Sequence, residues 1–373
     1  AFTIRGFVDE LPADTWCRNE TGELVGGKRA YSPEAPDETF EMIAEAEVEM
    51  LRPVLERAPI TIITNGGEYA LGTIGHHLET WEQDPEVVAA KGDREWYDYI
   101  SERKAHQEMI VSESIRELVP DRRIYIYYHT EASHHRNRYG GWWRWVWDYE
   151  YMQPVSDIPN TSIYYQHYNS GFTGEMDMLV MALNATTQQI EYGEPLSYNW
   201  VTAGWPRENL GEEAIADPER YMGYLKCYYT AGMIGGAAGY FSYEDSEEWV
   251  WQLMCLGRVH ALFSHLEDFL RNGDLLPGPQ MHVWSTELPA REFPTEDEGT
   301  RVVARKHNDR DEWLVTAWAA SGDARDVTVE IPDLGEVTLN ARPGGSVYRA
   351  TVEDAAPSLT LVDEDALLPT QGL

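Results

Sequence analysis

The apolar positions fall into two regimes along the chain. Up to about residue 276, short continuous apolar runs alternate with longer stretches at helical spacing. After Pro277 only short alternating runs remain, with turn residues between them. The clearest run is Ile60-Thr61-Ile62-Ile63-Thr64, which stops at Asn65-Gly66-Gly67-Glu68-Tyr69. A run without strict alternation, bounded by Pro59 and Gly66, fits a strand buried on both faces, as in a parallel sheet under helices. The glycines let the backbone turn where the strand ends. Glu68 therefore falls just past a strand's C-terminal end.

Five more strands are expected over 2–8, 123–128, 162–168, 196–201 and 237–243. Helices separate them. One begins at Asp37 and places Phe40, Ile43, Ala44, Val48, Leu51 and Leu55 on one stripe, with Pro53 shortening its last turn. Another spans 96–119 with Val111, Ile115, Leu118 and Val119 inward. Later helices carry Met176, Leu179, Leu183, Thr187 and Ile190, then Met222, Leu225 and Tyr229 behind an Asp217-Pro218 start. The last spans 246–272 and stops at Gly273. Strand–helix alternation of this kind predicts a parallel sheet. The fold expected is α/β: a TIM-type (β/α) barrel over residues 1–276 and a small antiparallel β domain over 277–373. The β domain's strands are expected at 281–284, 301–306, 313–318, 326–331, 336–341 and 346–351. A closed barrel needs eight strands. Its first two βα units are expected to precede Ala1, and the strand edges left open there would be covered in a homo-oligomer.

Composition narrows the partners. In 373 residues, 64 acids face 29 basic residues, a net charge of −35. Such a field repels nucleic acid and anionic membranes, and neither is expected as a partner. A halophilic or marine setting is one explanation. The 14 Trp and 22 Tyr against 8 Phe favour rings that stack on a ligand and keep a polar handle. Cys17, Cys227 and Cys255 are too scattered for a disulfide framework or a CxxC metal site. No apolar run approaches membrane-spanning length. The location expected is extracellular or periplasmic, although no signal peptide is visible in the chain.

Candidate chemistry gathers at the strand ends. Glu68, His129 with Glu131, His167, Asn199 with Trp200, and Glu244 with Asp245 each follow or close a predicted strand. In a barrel these ends share one rim. Glycoside hydrolysis needs two carboxylates across the scissile bond. Glu68, Glu131 and Glu244 are the catalytic candidates. Asn65, Tyr69, His129, His167, Trp200 and Trp205 are expected to line the substrate cleft. The stretch from Trp142 to Tyr151 adds Trp142, Trp143, Trp145 and Trp147 beyond the third strand, suited to the C–H faces of sugar rings. A plug that only anchors the loop is the structural alternative. His76-His77 and His134-His135, with His129, His167 and Asp245, open a metal-dependent, amidohydrolase-like alternative. No His-x-His strand supports it, and neither a catalytic metal nor a cofactor is expected. No glycine-rich phosphate loop is present.

Three segments carry a family resemblance. Asn65-Gly66-Gly67-Glu68-Tyr69 is similar to the fourth-strand end of the broad clan that includes many β-glycosidases. The segment 232–243 and the helix after it resemble the eighth strand and closing helix of such barrels. The segment 313–348 is similar to the β domains that follow them. The chain thus resembles a glycoside hydrolase with a (β/α)8 barrel and a C-terminal β-sandwich. The resemblance implies cleavage of a polysaccharide or oligosaccharide, a marine galactan among the candidates, with Glu68 as acid/base. Here two glycines separate Asn65 from Glu68. If Glu68 closes strand four, strand seven is 196–201, and it carries no acid where the clan has its nucleophile. Glu131 or Glu244 then supplies the second carboxylate. A non-catalytic carbohydrate-binding barrel explains the same aromatics and the missing acid.

Overall fold

The computed structural model describes residues 2–4, 10–26, 31–66, 78–118, 124–130, 149–157, 160–164, 183, 187, 190, 200–202, 239–240, 249–281, 289–319 and 323–367. It is a mixed α/β structure in two compact units, Ala1–Ser162 with Tyr192–Leu196, and Ile163–Glu191 with Ser197–Leu373. No helix among the described residues is long and apolar enough to cross a membrane.

In the first unit β1 (Phe2–Ile4), β2 (Ile62–Gly66) and β3 (Ile124–Thr130) run side by side, and β4 (Asn160–Tyr164) joins them through Asn160–Ser162. Every pair is parallel, with Thr3 beside Thr64 and Thr64 beside Ile126. Parallel neighbours need a crossover between them. The helices α1 (Asp37–Leu55) and α4 (Trp96–Leu118) lie in the first two crossovers. Two short helices, α2 (Leu78–Trp81) and α3 (Pro85–Lys91), precede α4. A fifth, α5 (Tyr149–Met152), precedes β4. Successive residues of a strand face opposite sides. Ile63 and Thr64 are both buried, so both faces of β2 are covered, as its unbroken apolar run implies.

The stripe foreseen on α1 is there: Phe40, Ile43, Ala44 and Leu51 are buried with Ile63, Val111 and Ile115, and Val48 and Leu55 pack at the margin. Pro53 sits in the last turn, and the helix ends two residues later. Charge inside this layer was not foreseen. Glu47 of α1 and Lys104 and Glu108 of α4 are all buried. The last two stand four residues apart on one helix face. Burial pulls the Lys104 ammonium below its usual range, against the attraction of Glu108. Burial first, then Glu108 and Glu47, pushes the Tyr31 phenol up.

In the second unit β5 (Trp200–Thr202) and β6 (Gly239–Tyr240) pair in parallel. The helix expected over 246–272 is two helices, α6 (Trp249–Ser264) and α7 (Glu267–Arg271). Between them His265 N–H and Leu266 N–H close tight turns on Leu262 and Phe263 carbonyls, and the Leu266 side chain is buried. Gly273 then starts β7 (Gly273–Leu275). A Cβ there would sit 2.6 Å from the Phe269 carbonyl oxygen, so only glycine lets the strand leave α7 this closely.

Six further strands follow: β8 (Thr300–His307), β9 (Glu312–Ala319), β10 (Arg325–Ile331), β11 (Gly335–Ala341), β12 (Ser346–Glu353) and β13 (Ala356–Leu361). Five make an antiparallel sheet in the order β13-β12-β9-β8-β7, and β10-β11 is a separate hairpin. The strands foreseen from 301 to 351 appear within one or two residues of the expected bounds. Of the strand expected over 281–284, only Met281 is among the described residues; it bridges to Pro289. A short helix, α8 (Glu364–Leu367), follows β13. The hairpin turns Val327, Val329, Ile331, Val337 and Leu339 onto Val302, Ala304, Trp313 and Val315 of the sheet. The opposite side of β8 meets α7. There Arg305, 4% exposed, donates to the carbonyl oxygens of Phe269 (3.2 Å), Leu270 (3.4 Å) and Gly273 (2.7 Å). A guanidinium on the last carbonyls of a helix satisfies acceptors that have no partner in the helix and complements its dipole. Burial holds the Arg305 pKa down to about 10, with Asp274 pulling the other way. Arg349 does the same for α6 by donating to the His265 carbonyl (2.9 Å).

Among the described residues some of the negative charge is grouped. Glu38, Glu41, Glu45 and Glu49 are exposed on α1 at spacings that place them along one line. On the outer face of the hairpin Glu330 stands directly opposite Glu336. Like charges so placed destabilise, and salt screens them. The melting temperature is therefore expected to rise by several degrees from low to molar NaCl, and Glu330→Lys to add about 0.5 kcal/mol at low salt. Scanning calorimetry over a salt series checks both, and a flat series would refute them. In urea unfolding, Arg305→Met is expected to lower stability by about 2–4 kcal/mol, because three buried carbonyls lose their donor.

Candidate functional site

The candidate carboxylates follow strand ends in the sequence. β2 ends at Gly66, two residues before Glu68, and β3 ends at Thr130, immediately before Glu131. Gly66 pairs with Tyr128, Asn65 with Tyr127, and Ile4 with Asn65. Because the strands are parallel, the chain leaves all three from one edge of the sheet. Among the substrate-lining candidates, Asn65 lies on β2, His129 on β3 beside Thr161 of β4, and Trp200 on β5 beside Gly239 of β6. Glu68, Tyr69, Glu131, Trp142, Trp143, Trp145, Trp147, His167, Trp205 and Glu244 lie outside the described residues, as do both histidine pairs and Asp245. Among the described residues, no three His, Cys, Asp or Glu side chains gather as a metal set.

The chain also builds a platform that the sequence does not announce. It is made from the crossovers that follow β1 and β2. Residues 10–26 and 31–36 come from the first, residues 78–95 from the second. The first folds back on itself through bridges between Trp16 and Tyr31 and between Arg18 and Leu24. Cys17 of the first segment and Trp81 and Val87 of the second share a small core with Tyr97, Tyr99 and Ile100 of α4. Trp81 donates its indole N–H to the Tyr31 carbonyl (3.1 Å). Asp84 serves both segments at once. One carboxylate oxygen accepts from the Glu86 and Val87 N–H groups and caps α3, and the other accepts from Arg18 N–H (2.9 Å). The Asp84-Pro85 pair is itself a helix-start signal, so this much was readable from the chain.

From the other side α4 grips residues 32–37. The Tyr99 hydroxyl donates to Glu34 (2.7 Å). Arg103 donates to the Pro33 carbonyl (2.7 Å), and Gln107 to the carbonyls of Ser32 (3.2 Å) and Pro33 (3.1 Å). His106 pairs with Asp37 at 2.7 Å, at the first residue of α1. Burial, then the bond to Glu34, raises the Tyr99 phenol well above its usual range. The Cys17 thiol is pushed up to about 12 by burial and then by Asp84.

The second unit holds a surface cleft of about 490 Å³ lined by Arg258, Arg342, Leu361, Glu364 and Asp365 among others. Its arginines face acids of α8: Arg258 reaches Asp365 at 2.5 Å, and Arg342 lies 3.8 Å from Glu364.

No protein-family model matches the chain, and no curated protein matches its sequence. Solved structures with some likeness include a noncanonic maltogenic alpha-amylase from Thermotoga neapolitana, at 10% identity and a TM-score of 0.43, covering 94% of this chain and 72% of its own. A GH36 alpha-galactosidase from Geobacillus stearothermophilus in complex with raffinose gives 16% identity, a TM-score of 0.45, and coverage of 93% and 42%. A Nostoc punctiforme debranching enzyme gives 10% identity, a TM-score of 0.34, and coverage of 93% and 97%. The chain thus spans less than half of the galactosidase.

Asp84→Ala removes a helix cap and the link to Arg18 together. It is expected to cost about 1–2 kcal/mol in thermal unfolding, more than the same change at an exposed acid such as Glu86.

Proposed function

We propose that the chain is a glycoside hydrolase built on a (β/α) barrel, acting on a polysaccharide or its oligosaccharides. Glu68 is the acid/base. Glu131 is the first choice for the second carboxylate and Glu244 the next. Trp142, Trp143, Trp145, Trp147, His129, His167, Trp200 and Trp205 contact the sugar. One observation carries the reading: β2 and β3, which precede Glu68 and Glu131 in the sequence, are adjacent, parallel and paired up to Gly66 and Tyr128. Neighbouring strands lie about 4.8 Å apart. That is the order of separation, ~5–10 Å, at which two carboxylates divide the work of cleaving a glycosidic bond. The net charge of −35 favours neutral over polyanionic glycans.

In this mechanism the protonated acid donates to the leaving oxygen, while the second carboxylate attacks the anomeric carbon or activates water. Burial against aromatic rings is what keeps such an acid protonated near neutral pH. The test is reducing-sugar release from a panel of plant and marine polysaccharides at several salt concentrations. Glu68→Gln is expected to lower kcat at least about a hundredfold while leaving glycan binding in place. Full activity in that variant would remove Glu68 from the mechanism. Glycan binding without turnover by the wild type would make the chain a binding barrel.

A further inference from the structure

We propose that Trp16, stacked on Tyr31 in the crossover after β1, is a sugar-stacking residue that extends the substrate cleft along the sheet edge. This rests on the glycosidase reading above. Trp16 and Tyr31 form a bridged pair of backbone positions, and their rings stack with centroids 5.1 Å apart at 22°. Tyr31 takes one face of the indole. Trp16 stays partly exposed, and it belongs to none of the three buried clusters found among the described residues. A partly exposed indole with one face backed by another ring is a platform on which an apolar sugar face can pack.

The backing is rigid, which such a contact needs if ordering cost is not to cancel its gain. Tyr31 meets buried Phe40 of α1 edge-on at 6.1 Å, and its carbonyl accepts from Trp81. Thr15, next to Trp16, is tied to α1 through Thr39 (2.9 Å) and to Ser32 through its carbonyl (2.8 Å). The place in the chain fits as well. The segment lies between β1 and α1, and β1 pairs in parallel with β2, the strand that precedes Glu68 in the sequence; in a barrel the connections from strand to helix share the rim that carries the site. A structural tryptophan with these neighbours would be expected inside the core shared by Cys17 and Trp81, and Trp16 is outside it.

The experiment compares wild type, Trp16→Ala and Trp16→Phe on soluble starch, soluble agaro-oligosaccharides and whichever panel polysaccharide the wild type degrades. Circular dichroism and melting temperature are measured alongside. Trp16→Ala is expected to raise KM about tenfold with a much smaller change in kcat, and Trp16→Phe to restore most of the loss. An unchanged KM in folded Trp16→Ala would overturn the inference and leave the glycosidase reading standing. Equal losses of kcat and melting temperature, without rescue by phenylalanine, would make Trp16 structural and overturn it too. If the wild type neither binds nor degrades any glycan, both readings fall.

Discussion

Covering both faces of β2 is the constraint on which the first unit depends. A strand paired on each side in parallel has neighbours that can be reached only by crossovers, and its apolar side chains on both faces must leave water. Ile63 and Thr64 meet that demand, and α1 and α4 are in the crossovers that supply the cover. The same arrangement sends the chain out of β1, β2 and β3 at one edge. The residues that follow are free to serve chemistry because the strands themselves are spent on packing. The platform of residues 10–36 and 78–95 is the second consequence. Two crossovers leaving neighbouring strands are forced together, and Asp84, Trp81 and Tyr99 turn that proximity into a fixed surface.

Polar groups inside the protein hold junctions between elements. Arg305 in the second unit and Gln107 and Arg103 in the first all donate to backbone carbonyls that their own segments leave open. Arginine suits this use, since its charge survives burial and its fork reaches several acceptors. Among the described residues the acids, by contrast, are mostly outside. Rows such as Glu38 to Glu49 and the Glu330–Glu336 pair cost stability at low salt and keep the surface strongly negative.

Among the described residues, periodicity read from the chain matched the structure where one force dominated. The α1 stripe, the unbroken apolar run of β2 and the alternating strands of β10 and β11 are burial patterns, and burial acts residue by residue. Misses occurred where partners distant in sequence decide. Lys104, Glu108 and Glu47 look like surface residues until two helices pair. The break between α6 and α7 has no glycine or proline to signal it. The hairpin from β12 to β13 turns through Asp354 and Ala355, both at positive φ, a conformation that Asn-Gly would have announced and Asp-Ala does not.

The chain by itself determined that strands and helices alternate, that a parallel sheet precedes an antiparallel one, and that acids and aromatic residues follow the strand ends. Those are local or periodic properties, carried by each segment's own apolar pattern. Tertiary structure alone decided which strand ends are neighbours, that one carboxylate of Asp84 joins two crossovers, and that Trp16 is backed by Tyr31. Each depends on register between segments far apart in sequence, and register is set by the pairing of whole elements rather than by any residue within them.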